Sequence, residues 1–207
     1  MAGTSLSQAT YRISESDLEF MVLDKGDIPS AFSGYQVVRE GVLDNEMMAE
    51  HGFSGSTPER FKKAGRINGF MREFGPTADM GVFDGFNFVG ATVTHLFDEP
   101  GSVSSWMHDV FIKDFESNLG ESVGNEQQLI SLEHLDPSGL FDEAVCLKVL
   151  QGGATGLVSS TVIDFRVGRI LGVAFVGAVG DHLRLEQATE LALALERRIV
   201  RVVLGAI

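Results

Sequence analysis

The five histidines of this sequence could act as general acids, general bases or metal ligands, but none of them has the spacing of a known catalytic or metal motif. They are His51, His95, His108, His134 and His182. No two lie four residues apart, as in the helical pair of a zinc protease, and no cysteine cluster joins them. His95 and His108 flank the turn at residues 98–100, where they could meet over a divalent cation. The favoured interpretation is a solvated strand end and an exposed helical histidine, so we predict no metal site and keep this pair as the nearest to one.

The other side chains that could act as nucleophiles or bind phosphate also lack their usual surroundings. Cys146, the single cysteine, lies in an apolar strand-like run and is interpreted as a small buried hydrophobe. Residues 52–56 lack the GxSxG elbow, and the glycine-rich segments 65–69 and 152–156 match neither the P-loop nor the dinucleotide fingerprint. The carboxylates flank strands or lie on a helix, where a solvated face is the default. We therefore predict no catalytic residue and no cofactor.

Four large apolar residues are candidates for contact with a partner or a ligand. Met47 and Met48 fall on a short predicted helix, and Phe83 and Phe86 fall near the tip of a predicted loop. Exposed side chains of these types anchor partners and ligands. The alternative, which we favour, is that they close the open end of the sheet.

The charge of the chain argues against nucleic acid as a partner. The net charge is −13 at pH 7, which repels phosphate backbones, and the only adjacent basic pairs are Lys62-Lys63 and Arg197-Arg198. No stretch reaches the roughly 18 apolar residues of a membrane span, and the N-terminus lacks the basic and apolar regions of a signal peptide. As written, the sequence predicts a cytoplasmic protein. If an export signal had been removed, the expected location would be the cell envelope.

Apolar periodicity predicts two long helices and two short ones. The first long helix covers residues 102–119, where apolar residues recur at steps of three and four and Gly120 follows. The second closes the chain, with Asp181 as its expected N-cap. Asp44 and Thr57 are expected to cap the two short helices. The apolar stripe of the closing helix consists of Leu185, Ala188, Ala192, Leu195, Ile199 and Val202.

Runs of apolar and β-branched residues predict seven strands. They cover residues 18–23, 66–74, 86–97, 129–135, 143–150, 157–165 and 169–176. Gly168 falls at the tip of the last hairpin, where a positive φ is needed. Residues 170–176 are apolar on both faces, so this strand is expected at the centre of the sheet.

Hairpin connections dominate and strict βαβ alternation is absent, which predicts an α+β fold. The expected architecture is a twisted antiparallel sheet packed by two long helices, an α/β sandwich. Residues 1–16 are polar and lack periodicity, and we interpret them as a flexible N-terminal arm. Residues 17–207 are predicted to form a single domain.

A few short segments give this layout a resemblance to a known superfamily. They are Asp27-Ile28-Pro29 with the following Gly34-Tyr35, the run Gly65-Arg66-Ile67-Asn68-Gly69-Phe70, the hairpin Asp164-Phe165-Arg166-Val167-Gly168-Arg169, and the closing helix with its arginines. Over residues 17–204 the pattern of elements resembles the photosystem II extrinsic protein PsbP, the bacterial LpqN-type lipoproteins and the extracellular sensor domains of some bacterial kinases. The resemblance implies a non-enzymatic module, usually outside the cytoplasm, with no shared set of catalytic residues.

Three functions remain open from the sequence. The favoured one is a non-catalytic binding, sensing or scaffold domain whose partner is a protein or a small molecule. The second is a small hydrolase or isomerase that uses histidine and carboxylates, with His95 and His108 as first suspects. The third is a structural protein that self-assembles into homo-oligomers through an exposed edge strand, for which residues 18–23 are the candidate.

Overall fold

A computed structural model gives the fold of the chain, and the structure describes residues 5–76, 88–122, 127–154 and 156–206. Seven strands form the framework: β1 Gln36–Val42, β2 Arg66–Gly75, β3 Phe88–Phe97, β4 Gln127–Leu135, β5 Ala144–Gly153, β6 Gly156–Val167 and β7 Ile170–Val179. The α-helices are α1 Ser5–Ala9, α2 Leu18–Met21, α3 Asn45–Glu50, α4 Pro58–Lys63, α5 Pro100–Ser105, α6 Lys113–Ser117 and α7 Leu185–Val203. A π-helix, Trp106–Ile112, joins α5 to α6 without a break.

The strands form one sheet in the order β1-β2-β3-β7-β6-β5-β4, and every neighbouring pair is antiparallel. Strand β7 lies at the centre, as its apolar faces predict. Gly168 forms the tip of the β6–β7 hairpin with a φ of 58°, a left-handed conformation that glycine adopts at little cost. The predicted α+β class and antiparallel sheet are confirmed.

Helix α7 covers one face of the sheet. It packs against β7, β6 and β3 and buries the apolar stripe that its sequence predicts, including Ala188, Leu195 and Ile199. Phe165 of β6 is fully buried in the same core. The expected N-cap is wrong, because the helix begins after Arg184 and Asp181 instead pairs with Lys148.

The other face of the sheet is covered by α3, α4 and the continuous helical segment from α5 to α6. The capping predictions for α3 and α4 are confirmed, since the side chains of Asp44 and Thr57 accept from the amides of Met47 and Arg60 at 2.8 and 3.1 Å. A smaller core fills this side, with Phe61, Trp106 and Leu171 among its buried residues. Helices thus cover both faces of the sheet at β7, which accounts for apolar residues on both faces of this strand.

The first predicted strand is wrong. Residues 18–23 contain helix α2, which lies on the α7 face of the sheet and contacts α7, β2 and β3. The hydroxyl of Thr94 donates to the carbonyl of Leu18, and the amide of Leu23 donates to Thr92. Strand β1, one of the two edge strands of the sheet, is not among the strands that the sequence predicts.

The interpretation of residues 1–16 as a flexible arm requires correction for the part that the structure describes. Thr10 and Ile13 are buried, and Arg169, at the tip of the last hairpin, donates to the carbonyls of both at 3.1 and 2.7 Å. The Thr10 hydroxyl also accepts from the amide of Arg169. These contacts hold the N-terminal segment against the β6–β7 hairpin, because the backbone carbonyls of the segment accept hydrogen bonds from the side chain of Arg169.

Candidate functional site

A cavity of about 320 Å³ lies between the sheet and the layer formed by α3, α4 and the π-helix. Its floor is made by side chains of β3, β7, β6 and β5, and its roof by the helices and the segment 51–56. Such a volume is at the lower end of the range of small-molecule sites. The lining residues are Met48, His51, Gly52, Phe53, Ser56, Phe61, His95, Trp106, Val110, Phe111, Asp114, Phe115, Gln151, Asp164 and Val173.

Aromatic rings form most of the roof. The Trp106 ring centroid lies 5.3 Å from that of Phe61 and 5.4 Å from that of Phe97, and the rings of Phe53 and Phe115 are 5.0 Å apart. Such edge-to-face and tilted pairs are favourable arrangements of the ring quadrupoles. Trp106 begins the π-helix, a rare helical form that is frequent at functional sites.

An ion pair joins the two sides of the roof. Arg60 of α4 donates to both carboxylate oxygens of Asp114 of α6, at 2.8 and 2.6 Å. The hydrogen bond to Asp114 raises the pKa of Arg60 above its ordinary value. Because this bidentate geometry fixes the separation of the helices, it holds the roof over the cavity.

His95 and Arg66 form a buried pair in the cavity wall. The Nε of Arg66 donates to Nδ1 of His95 at 3.2 Å, and the Nη2 of Arg66 lies 3.0 Å from the same atom. Burial and then the Arg66 charge hold the pKa of His95 well below its usual range, so the ring is neutral. Arginine can only donate, so Nδ1 accepts and the ring proton is on Nε2. The polar group that His95 can offer to the cavity is therefore an N–H donor.

The register of β2 and β3 places Arg66 on the same face as His95. Gly69 is paired with His95, and a residue three positions earlier in a regular strand would face the other way. A bulge at Ile67 shifts the register, so that Arg66 pairs with Phe97 and points to the cavity side. A Cβ at Gly69 would lie 2.5 Å from Nδ1 of His95 and 2.7 Å from Nη2 of Arg66. The glycine thus leaves the space that the pair occupies.

Asp164 is the buried acid of the cavity floor. It is 2% exposed, and its Oδ1 has no hydrogen-bond partner among the described residues. Burial raises the pKa of Asp164 to about 8, so the carboxyl group is mostly protonated at neutral pH. An unsatisfied buried polar atom costs free energy, and the cost is smaller for a neutral carboxyl group than for a carboxylate.

The two weak candidates for a metal site, His95 and His108, have separate partners. His95 is buried against Arg66, so its interpretation as part of a solvated strand end is wrong, whereas His108 is exposed as expected and its Nε2 lies 2.8 Å from Glu143. Glu143 also accepts from the hydroxyl of Ser104 and pairs with Arg166. Within the described ranges, no group of three or more His, Cys, Asp or Glu side chains could hold a metal ion.

The predicted apolar contact residues have different positions. Met48 lines the cavity and Met47, its neighbour on α3, is half-buried. Phe83 and Phe86 lie outside the described residues. Cys146 is buried on the α7 side of the sheet, and burial raises the pKa of its thiol to about 12, so it is not a nucleophile at neutral pH.

Sequence reasoning missed Arg66 and Asp164 as site residues. Each is an ionisable residue within or beside a strand of apolar and aromatic neighbours, as in Thr161-Val162-Ile163-Asp164-Phe165. Charged residues are almost never fully buried unless they are paired, so this pattern is the signal that could have identified them.

Comparison with known proteins identifies a fold but no family. No family model matches the chain, and no curated protein does. Among solved structures, the extracellular domain of PknH from Mycobacterium tuberculosis is similar, with a TM-score of 0.59 and 9% sequence identity over 90% of this chain and 96% of that chain. A putative uncharacterized protein, the Rv0999 ortholog from Mycobacterium smegmatis, gives a TM-score of 0.47 and 9% identity over 81% of this chain and 90% of that chain. The first of these similarities shows a shared fold.

In the parts of the chain that the structure describes, no helix is both long enough and apolar enough to span a membrane.

Proposed function

We propose that this chain is a non-catalytic binding or sensing domain that takes a small, largely apolar molecule into the cavity between the sheet and the π-helix. The observation that carries the proposal is the cavity itself. It is lined mainly by aromatic and aliphatic side chains, and its polar lining includes the neutral ring of His95 and the mostly protonated carboxyl group of Asp164. An apolar enclosure with a few polar groups is the usual form of a small-molecule site.

The same geometry gives less support to a hydrolase or isomerase. A general base must have a free lone pair near its substrate. The Nδ1 lone pair of His95 accepts from Arg66 and its Nε2 carries the proton, so this ring cannot take up another proton while the pair is intact. Asp164 is mostly protonated at neutral pH. Neither group is therefore prepared to abstract a proton.

The cellular location and the family form the second part of the proposal. The shared fold with an extracellular domain and the segments that resemble the PsbP and LpqN-type superfamily both support a location in the cell envelope. There, a binding domain would report on, or carry, an apolar molecule from outside the cytoplasm.

Filling the cavity tests the proposed function. Phenylnaphthylamine, a neutral dye that fluoresces in apolar surroundings, is expected to bind the wild-type protein. Val110 lies in the roof, so V110W should weaken dye binding at least tenfold because the indole occupies the cavity. Val38 is 55% exposed on the edge strand β1, and V38W is the matched control that should bind as wild type. Equal affinity of V110W and V38W, with both variants folded by circular dichroism, would contradict the proposal.

A further inference from the structure

Arg66 is a buried cation whose hydrogen-bond partners are neutral groups. The residue is 1% exposed, and although burial lowers its pKa to about 10, the guanidinium stays protonated at neutral pH. It donates to the carbonyl of Leu43, to Oδ1 of Asn45 at 2.7 Å and to His95. Asp44, whose charge acts to raise the pKa of Arg66, is exposed and caps helix α3. Among the described residues, no ion pair includes Arg66.

A buried charge without a counter-ion is costly, and native proteins normally pair such charges or bring a ligand to them. Neutral acceptors hold most of the N–H donors of Arg66, but they do not neutralise its charge. The positive potential therefore extends through the His95 ring toward the cavity. An anion at the Nε2–H of His95 would lie about one ring width beyond the guanidinium, against an apolar wall of the half-open cavity, where screening is weaker than in bulk water.

On the basis of the proposed function, we propose that the molecule bound in the cavity is an apolar monocarboxylate, whose head group accepts a hydrogen bond from the Nε2–H of His95 under the positive charge of Arg66. A single N–H donor suits a monoanion better than a phosphate dianion, which needs several donors. The aromatic and aliphatic lining, with Trp106 and Phe111 in the roof, fits a hydrophobic body of one or two rings or a short chain.

A cation is the less suitable ligand. The potential of Arg66 opposes it at the His95 end. The Asp114 carboxylate is already paired with Arg60, and Asp164 would have to lose its proton to provide a countercharge. The neutral Asp164 carboxyl can instead donate to, or accept from, an uncharged polar group on the ligand body.

Three naphthalene compounds of similar size test the charge class. Naphthoate, naphthamide and naphthylmethylammonium would each be titrated into the wild-type protein by calorimetry at neutral pH. We expect naphthoate to bind at least tenfold more tightly than naphthamide, and the ammonium compound to bind most weakly. The ratio of the naphthoate and naphthamide affinities isolates the charge of the head group, since these two compounds have the same shape and the same apolar body.

Variants at His95 assign the preference to this residue. H95L removes the donor and should abolish the preference for naphthoate over naphthamide. H95Q should keep part of it, because a glutamine oxygen can accept from Arg66 while its amide donates to the ligand. The affinity ratio stays informative even where a substitution weakens both ligands by disturbing the cavity.

Four results would overturn the inference. Equal affinity for naphthoate and naphthamide would show that charge is not recognised, and tightest binding of the ammonium compound would make Asp164 the recognised charge. If none of the three compounds binds while phenylnaphthylamine does, the carboxylate class fails and the proposed function stands. If the neutral dye also fails to bind, the proposed function fails, and the inference fails with it.

Discussion

Asp164 shows how one buried side chain makes stability depend on pH. Its folded pKa of about 8 lies above the roughly 3.9 of an unfolded aspartate, because burial opposes ionisation. Between these values the unfolded state releases the proton and the folded state keeps it. The free energy of unfolding therefore decreases as the pH rises from the unfolded pKa through the folded pKa, and the stabilising contribution is complete only below the unfolded value.

Replacing Asp164 with asparagine removes this ionisation. D164N is expected to become progressively more stable than wild type between about pH 4 and pH 8, by a total on the order of 5 kcal/mol, and the difference should level off above pH 8. Urea unfolding of both proteins across this range measures it. The exposed Asp136 offers the control D136N. If the free energies of unfolding of D164N and wild type differed by the same amount at every pH, the burial of the carboxyl group would be contradicted.

At the scale of elements, strand β2 carries the feature that creates the site. The run Gly65-Arg66-Ile67-Asn68-Gly69 appears in the sequence as an ordinary strand start. In the sheet, the bulge at Ile67 turns Arg66 to the cavity side and Gly69 leaves room for its side chain beside His95. Strand β2 thus positions the charge of Arg66 behind His95. The ring of His95, on strand β3, lies between that charge and the cavity.

Adding a methyl group at Gly69 should therefore disturb the pair. G69A is expected to destabilise the protein by about 1–3 kcal/mol, because the new Cβ would lie closer to His95 and Arg66 than packing allows. G41A on β1 is the matched control, since a Cβ there meets nothing within 4 Å. Chemical denaturation of the two variants gives the comparison. If G69A lowered the free energy of unfolding no more than G41A does, Gly69 would not be needed for the Arg66–His95 pair.

At the scale of the whole molecule, the two edge strands decide whether copies of the chain can join their sheets. Both edges, β1 and β4, contain bulges, between residues 37 and 39 and between residues 129 and 131. Both also carry charged or titratable side chains, with Arg39 and Glu40 on β1 and Glu133 and His134 on β4. Bulges and charges on edge strands are the usual features that prevent edge-to-edge pairing.

We therefore expect the protein to remain a monomer at high concentration, which size-exclusion chromatography with light scattering measures. The double variant R39V/E40V removes two charges from β1. It should promote dimer formation through this edge strand, because the strand then carries a continuous run of apolar residues. A wild-type dimer that this double variant leaves unchanged would show that assembly uses another surface. Self-assembly, the third function open from the sequence, would then regain support.

The sequence by itself determined the elements whose signals are local. The apolar stripe of α7, the two apolar faces of residues 170–176 and the glycine at position 168 predict a helix, a central strand and a tight turn, and the structure has all three. These signals are local because helix and strand periodicity and backbone φ depend on neighbouring residues. Residues 18–23 were mistaken for a strand because a short apolar run fits either structure, and only its packing against α7 and the sheet selects the helix.

Only the tertiary structure decided the site. Arg66 and His95 are 29 residues apart, and their contact depends on the register between two strands and on a bulge within one of them. Likewise, Asp164 is a cavity residue because three other strands and the π-helix enclose it, which no property of its own strand specifies. Long-range pairing sets which charges are buried and which side chains meet, so the chemistry of this protein follows from register and enclosure, whereas its secondary structure follows largely from local pattern.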